Sequence, residues 1–169
     1  MSQSGGCSIG FEVRVDELTS YELWLFLHIS SAIVWIGGGV AGQVFGALAN
    51  RAGDPARSAA FGQDMSFVAH KVFAPAALVL LATGALLTAD GNWDWSEPFV
   101  LLGLVGWIVV AAIAFGYITR EMGRAGAQMA AQGPSPELVA KVGRLVLLGR
   151  VLLLVLFVIV FVMVVKPGT

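Results

Sequence analysis

Of the 169 residues, 57% are hydrophobic, and 21 glycines raise the apolar share to about 70%, where soluble domains hold about 45–50%. Charged residues make up only 12% and gather in short stretches between long uncharged runs, which excludes an ordinary soluble domain. A net charge of −1 with ten Lys and Arg leaves no basic face for nucleic acid, and Cys7, the single cysteine, excludes both an internal disulfide and a thiolate metal site of the CxxC kind.

In chain order, residues 1–20 read as a flexible extracytoplasmic tail and residues 21–169 as one transmembrane domain. Four segments, near 22–48, 66–89, 98–118 and 144–165, are apolar over the roughly 20 residues that a helix needs to cross about 30 Å of hydrocarbon. No charge falls between Glu22 and Arg51, between Lys71 and Asp90, between Glu97 and Arg120, or between Arg150 and Lys166. Open strands would leave backbone groups unpaired in lipid, so the fold class is all-α, an integral membrane four-helix bundle. The first segment reads as a span and not as a cleaved signal. Its apolar run exceeds the usual 7–15 residues, and Glu12, Asp16 and Glu17 stand where a signal would be basic.

The loops carry helix-start signals. Asp54-Pro55 and Ser135-Pro136 each place a cap residue before a proline at the first helical position, so the second and fourth helices are expected to begin ahead of the membrane, the second by a turn or two. Beyond Tyr117, the residues Ile118, Met122, Ala125 and Met129 recur at helical spacing, which extends the third helix past the bilayer. The two halves share no sequence self-similarity of the kind that marks an inverted-repeat transporter.

Lys and Arg mark the cytoplasmic side. Arg51, Arg57, Lys71, Arg120, Arg124, Lys141 and Arg144 fall on one side, against Arg14 and Lys166 on the other, and the 90–97 loop carries Asp90, Asp94 and Glu97. Both termini are therefore expected outside, in a multi-pass protein of a bacterial cytoplasmic membrane, with the lipid bilayer as its constant partner. Trp24, Trp93 and Trp95 fall at the outer boundary, where indole rings anchor helices.

On the first helix, His28, Ser31, Trp35, Gly39, Gly42 and Gly46 share one face. Gly38, Gly42 and Gly46 at fourfold spacing allow close helix approach, within the chain, in a homo-oligomer or against a membrane partner. On the second helix, His70, Ala74, Ala77, Leu81, Gly84 and Thr88 form a matching seam, with Pro75 expected to kink it. Facing small residues leave either tight contact or a slot for a flat cofactor.

His28 and His70 are the only histidines, and ionisable residues in membrane spans are functional candidates. Both are candidate cofactor-binding residues. One haem clamped by the two is disfavoured: His28 lies about 9 Å from the outer face and His70 about 6 Å from the inner one, depths that differ by roughly 15 Å across a core of about 30 Å. A haem b would need separate sites or another second ligand. Methionine is the usual alternative, and Met163 is available, but it lies on the opposite face of the fourth helix from Arg150. Of the two, Arg150 is expected to face inward, as the partner of an anionic group such as a haem propionate or a lipid phosphate. No catalytic triad, HExxH or phosphate loop is present, and the methionines are scattered, so no catalytic residue and no metal-ligand set is assigned.

The stretch His28-Ile-Ser-Ser-Ala-Ile-Val-Trp35-Ile-Gly-Gly resembles the first-helix signature of a family of uncharacterised bacterial integral membrane proteins, and Pro75-Ala-Ala-Leu-Val-Leu-Leu-Ala-Thr-Gly84 matches its second-helix pattern. The signature also resembles the copper-resistance D (CopD) family and the HemJ-type protoporphyrinogen oxidases. The resemblance implies a four-helix bacterial membrane protein, with copper handling or haem-associated redox chemistry for the named relatives and His28 as ligand. Three functional expectations follow: a haem- or metal-associated membrane protein, a non-catalytic membrane subunit packing through its glycine seams, or a copper or small-solute permease.

Overall fold

A computed structural model describes residues 19–166. The last two residues of the expected tail, Thr19 and Ser20, cap and begin the first helix, and its residues 1–18, Cys7 among them, lie outside the described residues. Within them the chain is helical, without strands: α1 (Ser20–Arg51), α2 (Pro55–Val68), a π turn (Ala69–Phe73), α3 (Ala74–Asp90), α4 (Pro98–Ala111), a second π turn (Ala112–Ile118), α5 (Thr119–Gln132) and α6 (Pro136–Val165). The π turns run continuously into the flanking helices, so four long rods result, each long and apolar enough to cross a membrane.

Local chemistry sets the ends. Thr19 and Glu22 form a reciprocal capping pair before α1, the Thr19 N–H donating to Glu22 Oε2 (3.0 Å) and the Glu22 N–H to Thr19 Oγ1 (3.3 Å). At α6, Ser135 Oγ accepts from the Leu138 N–H (3.2 Å) and Pro136 occupies the first turn. Gly133 adopts φ 79° after α5, where a side chain would be strained. The second rod already begins at Pro55, 11 residues ahead of the expected span at 66 and five ahead of the apolar span Ala60–Asp90. There α2 is held by α1 and α5 alongside. The third rod runs on to Gln132 with Ala125 fully buried, as the Ile118, Met122, Ala125 and Met129 spacing requires.

The rods form an antiparallel ring in which each touches the next, α6 closing back on α1. Trp35, Ala77, Val110, Leu152 and Leu156, drawn from all four rods, make the core. Trp35 stacks on Phe115 (6.0 Å between centroids, 18° between planes) and meets Trp107 edge-on (6.4 Å). The Trp107 indole N–H donates to the Ala77 carbonyl (3.1 Å), tying the third rod to the second. Outside this core, Phe26, Leu154, Phe161 and Val164 point outward and are each at least 66% exposed. That surface is apolar all round, as hydrocarbon requires and water would not tolerate.

Candidate functional site

His28 sits half-buried between α1 and α3. Its Nδ1 lies 3.1 Å from the Leu80 carbonyl oxygen and 3.2 Å from Thr83 Oγ1. The carbonyl can only accept, so Nδ1 carries the hydrogen, and the Thr83 hydroxyl donates to the Val79 carbonyl (2.7 Å). Gly84 makes the seat: a Cβ there would stand 3.2 Å from His28 Cε1. The imidazole thus joins the first rod to the second. Its Nε2 keeps the lone pair, which is the atom a metal would take.

The glycine seam is closed from within the chain. A Cβ at Gly38 would overlap the Phe73 ring, one at Gly42 would stand 2.9 Å from Met65 Cε, and one at Gly46 would stand 3.2 Å from Phe61 Cε1. Gly39 faces Leu153 of α6, 2.9 Å from the place of its Cβ. The seam, expected to allow close approach within the chain, in an oligomer or against a partner, is therefore covered by the second and fourth rods of the same chain.

His70 does not join His28. It is exposed, and its Nδ1 donates to the Ser66 carbonyl of its own helix (2.8 Å). The two histidines lie at different depths, and His70 faces outward because of the π turn at Ala69–Phe73, where the Ala74 N–H bonds back to the Ala69 carbonyl and not, as in an α-helix, to that of His70. One added residue in a turn rotates everything before it by about 100°. The seam that a regular period draws through Ala77 and Ala74 to His70 passes instead through Phe73 to Met65 and Phe61, the side chains that fill the glycine positions.

Arg150 is exposed on α6 and its Nε donates a long hydrogen bond to Gln43 Oε1 of α1 (3.4 Å). The expectation that Arg150 and not Met163 faces inward is not met: Arg150 is exposed, whereas Met163 is half-buried and its methyl group packs on the buried Gly103 of α4. Opposite faces of α6 both have partners, because in the ring α6 lies between α1 and α4. Gln43 was not singled out from the sequence. Its signal was present, as the sole amide between His28 and Asn50 in an otherwise apolar run.

At the other end, Lys166 lies over Trp93 (4.3 Å from ammonium to centroid) and near Phe99 (5.8 Å), and the two rings meet edge to face at 5.2 Å. Trp93 thus joins the 91–97 loop to the end of α6, a role beyond that of a lipid anchor, while Trp95 remains 52% exposed. In the same loop, Asp94 accepts from the Ser96 N–H (2.9 Å) and hydroxyl (2.8 Å), which holds its carboxyl below the usual aspartate range. Where α5 meets α6, Glu121 pairs with Arg124 and with Lys141 (2.6 Å).

The three candidate residues have three separate partners, and among the described residues no three His, Cys, Asp or Glu side chains come together as metal ligands. A haem clamped between the first two rods does not fit. Its slot is filled by Phe73, Met65 and Phe61, and its second histidine faces away.

Residues 22–167 match a family model described as "Predicted integral membrane protein (DUF2269)". The chain belongs to this family. That description supports the resemblance as far as an integral membrane protein and names neither copper nor haem. No curated protein and no solved structure gives a significant match to the chain.

Proposed function

We propose that this DUF2269 protein is a non-catalytic integral membrane subunit, a rigid four-span platform with both termini on the outer side of a bacterial cytoplasmic membrane. The observation that carries the reading is the filling of the small-residue seams: Phe73, Met65, Phe61 and Leu153 occupy the positions a flat cofactor or a permeating solute would need. His28 acts in the same sense, as a joint between α1 and α3. The excess of Lys and Arg at the 51–71 and 120–144 ends supports the orientation.

A second reading, haem or metal association through His28, is favoured by one feature. A hydrogen bond at Nδ1 fixes the tautomer that leaves Nε2 as an acceptor. The absorption spectrum of the protein purified in mild detergent after expression with ample haem, recorded oxidised and then dithionite-reduced, separates the two. The platform reading expects no Soret band and no metal above background in elemental analysis. A Soret band that shifts on reduction and is lost in His28→Ala would overturn it.

A further inference from the structure

We propose that the groove between α1 and α6 at Gln43, Gly149 and Arg150 binds the phosphate of an anionic phospholipid. Arg150 lies in the apolar part of α6, and a charge in a membrane span calls for a partner. Its only partner among the described residues is Gln43, and that bond uses Nε alone. The two terminal nitrogens of the guanidinium remain, a planar pair of donors suited to two phosphate oxygens.

The groove is shaped for this. Gly149 has no side chain where the Gln43 amide lies: a Cβ there would stand 2.8 Å from Gln43 Nε2. Gln43 can therefore reach across the helix contact and fix the guanidinium by its Nε. Helical side chains lean toward the N-terminus of their helix, so Arg150 leans toward the end of the bundle that holds Arg51, Arg120 and Arg144. That end meets the headgroup layer, where the protein's cations attract anionic lipid. The exposure of Arg150 leaves the fork open to a lipid lying along the bundle.

The test uses the full chain in nanodiscs of phosphatidylcholine and phosphatidylglycerol in a three-to-one ratio, extracted into mild detergent and read by native mass spectrometry as retained lipid. Wild type is expected to retain phosphatidylglycerol in preference to phosphatidylcholine. One cation at the membrane surface contributes about 1 kcal/mol, so Arg150→Gln should lower that retention about fivefold. Gln43→Leu, which keeps the charge but frees the guanidinium, should give an intermediate loss, and Arg144→Gln, which removes one charge from the same end but leaves the fork, a smaller loss than Arg150→Gln. Wild-type retention in Arg150→Gln or in Gln43→Leu overturns the proposal. So does an equal loss in Arg144→Gln, which would mean diffuse surface charge, or displacement of the lipid by inorganic phosphate, which would mean a free-anion site. If Arg150→Gln fails to fold, Arg150→Lys reads the same fork, with a loss expected because an ammonium cannot bridge two oxygens in one plane.

Discussion

The imidazole of His28 rests on the backbone of Gly84, its Cε1 3.2 Å from where a Cβ would stand, while its Nδ1 donates to the Leu80 carbonyl one turn earlier on α3. Two residues 56 positions apart thus form one joint, since the missing side chain at Gly84 lets the ring settle against the helix that it bonds. His28→Ala is expected to lower stability by about 0.5–2 kcal/mol, the range for hydrogen bonds between membrane helices. Gly84→Ala should cost less, because the ring has to move by a few tenths of an ångström only. In the double variant the alanine methyl meets no ring, so the two effects should fall short of their sum. Unfolding in mixed micelles with a graded denaturing detergent measures all three, and strict additivity would show that the two residues do not form a joint.

Adjacent glycines on α1 give a sharper contrast. A Cβ at Gly37 meets nothing within 4 Å, whereas one at Gly38 overlaps the Phe73 ring. Gly38→Ala is expected to destabilise by about 1–3 kcal/mol through overpacking. Gly37→Ala should be neutral or slightly stabilising, as alanine is the better helix former. Equal midpoints for the two variants would contradict the close contact between α1 and the π turn.

Gly103 tests the nature of the neighbour. A Cβ there also overlaps a side chain, but the obstacle is the terminal methyl of Met163, on a thioether arm with three rotatable bonds. Gly103→Ala should therefore cost less than Gly38→Ala, by about 1 kcal/mol, since methionine can swing aside where a phenyl ring held in a π turn cannot. A larger loss at Gly103 than at Gly38 would mean that Met163 is fixed.

The 91–97 loop carries a pH response. The Asp94 carboxylate accepts from the Ser96 N–H and hydroxyl, which favours the ionised form. Its folded pKa lies below the unfolded one, so the contribution of this turn is present above the usual aspartate range and is lost as pH falls through the lowered value. Carboxyl-carbon NMR titration should place the Asp94 midpoint below the usual aspartate range. Ser96→Ala should raise it by removing the hydroxyl bond, and an unchanged midpoint would assign the lowering to the backbone N–H alone.

The existence of the four rods and the start of the last one follow from the sequence alone. Lipid offers the backbone no hydrogen bonds, so uncharged runs of sufficient length can only be helices, and Ser135-Pro136 marks a start because its cap geometry is local. The joining role of His28 was half legible, since its face with Ser31 and Trp35 follows from a regular period, and α1 is regular throughout. What the other residues do is fixed by the packing of the rods on one another. Within the spans apolar residues surround every rod, and core and hydrocarbon are equally apolar, so no amphipathic stripe tells there which side packs. The π turn at Ala69–Phe73 breaks the period that placed His70 in the seam, and it is Phe73 that reaches Gly38 in its stead. Arg150 found Gln43, and Met163 found Gly103, because a ring of four rods gives α6 a neighbour on either side, which is a property of the assembled bundle and of no single helix.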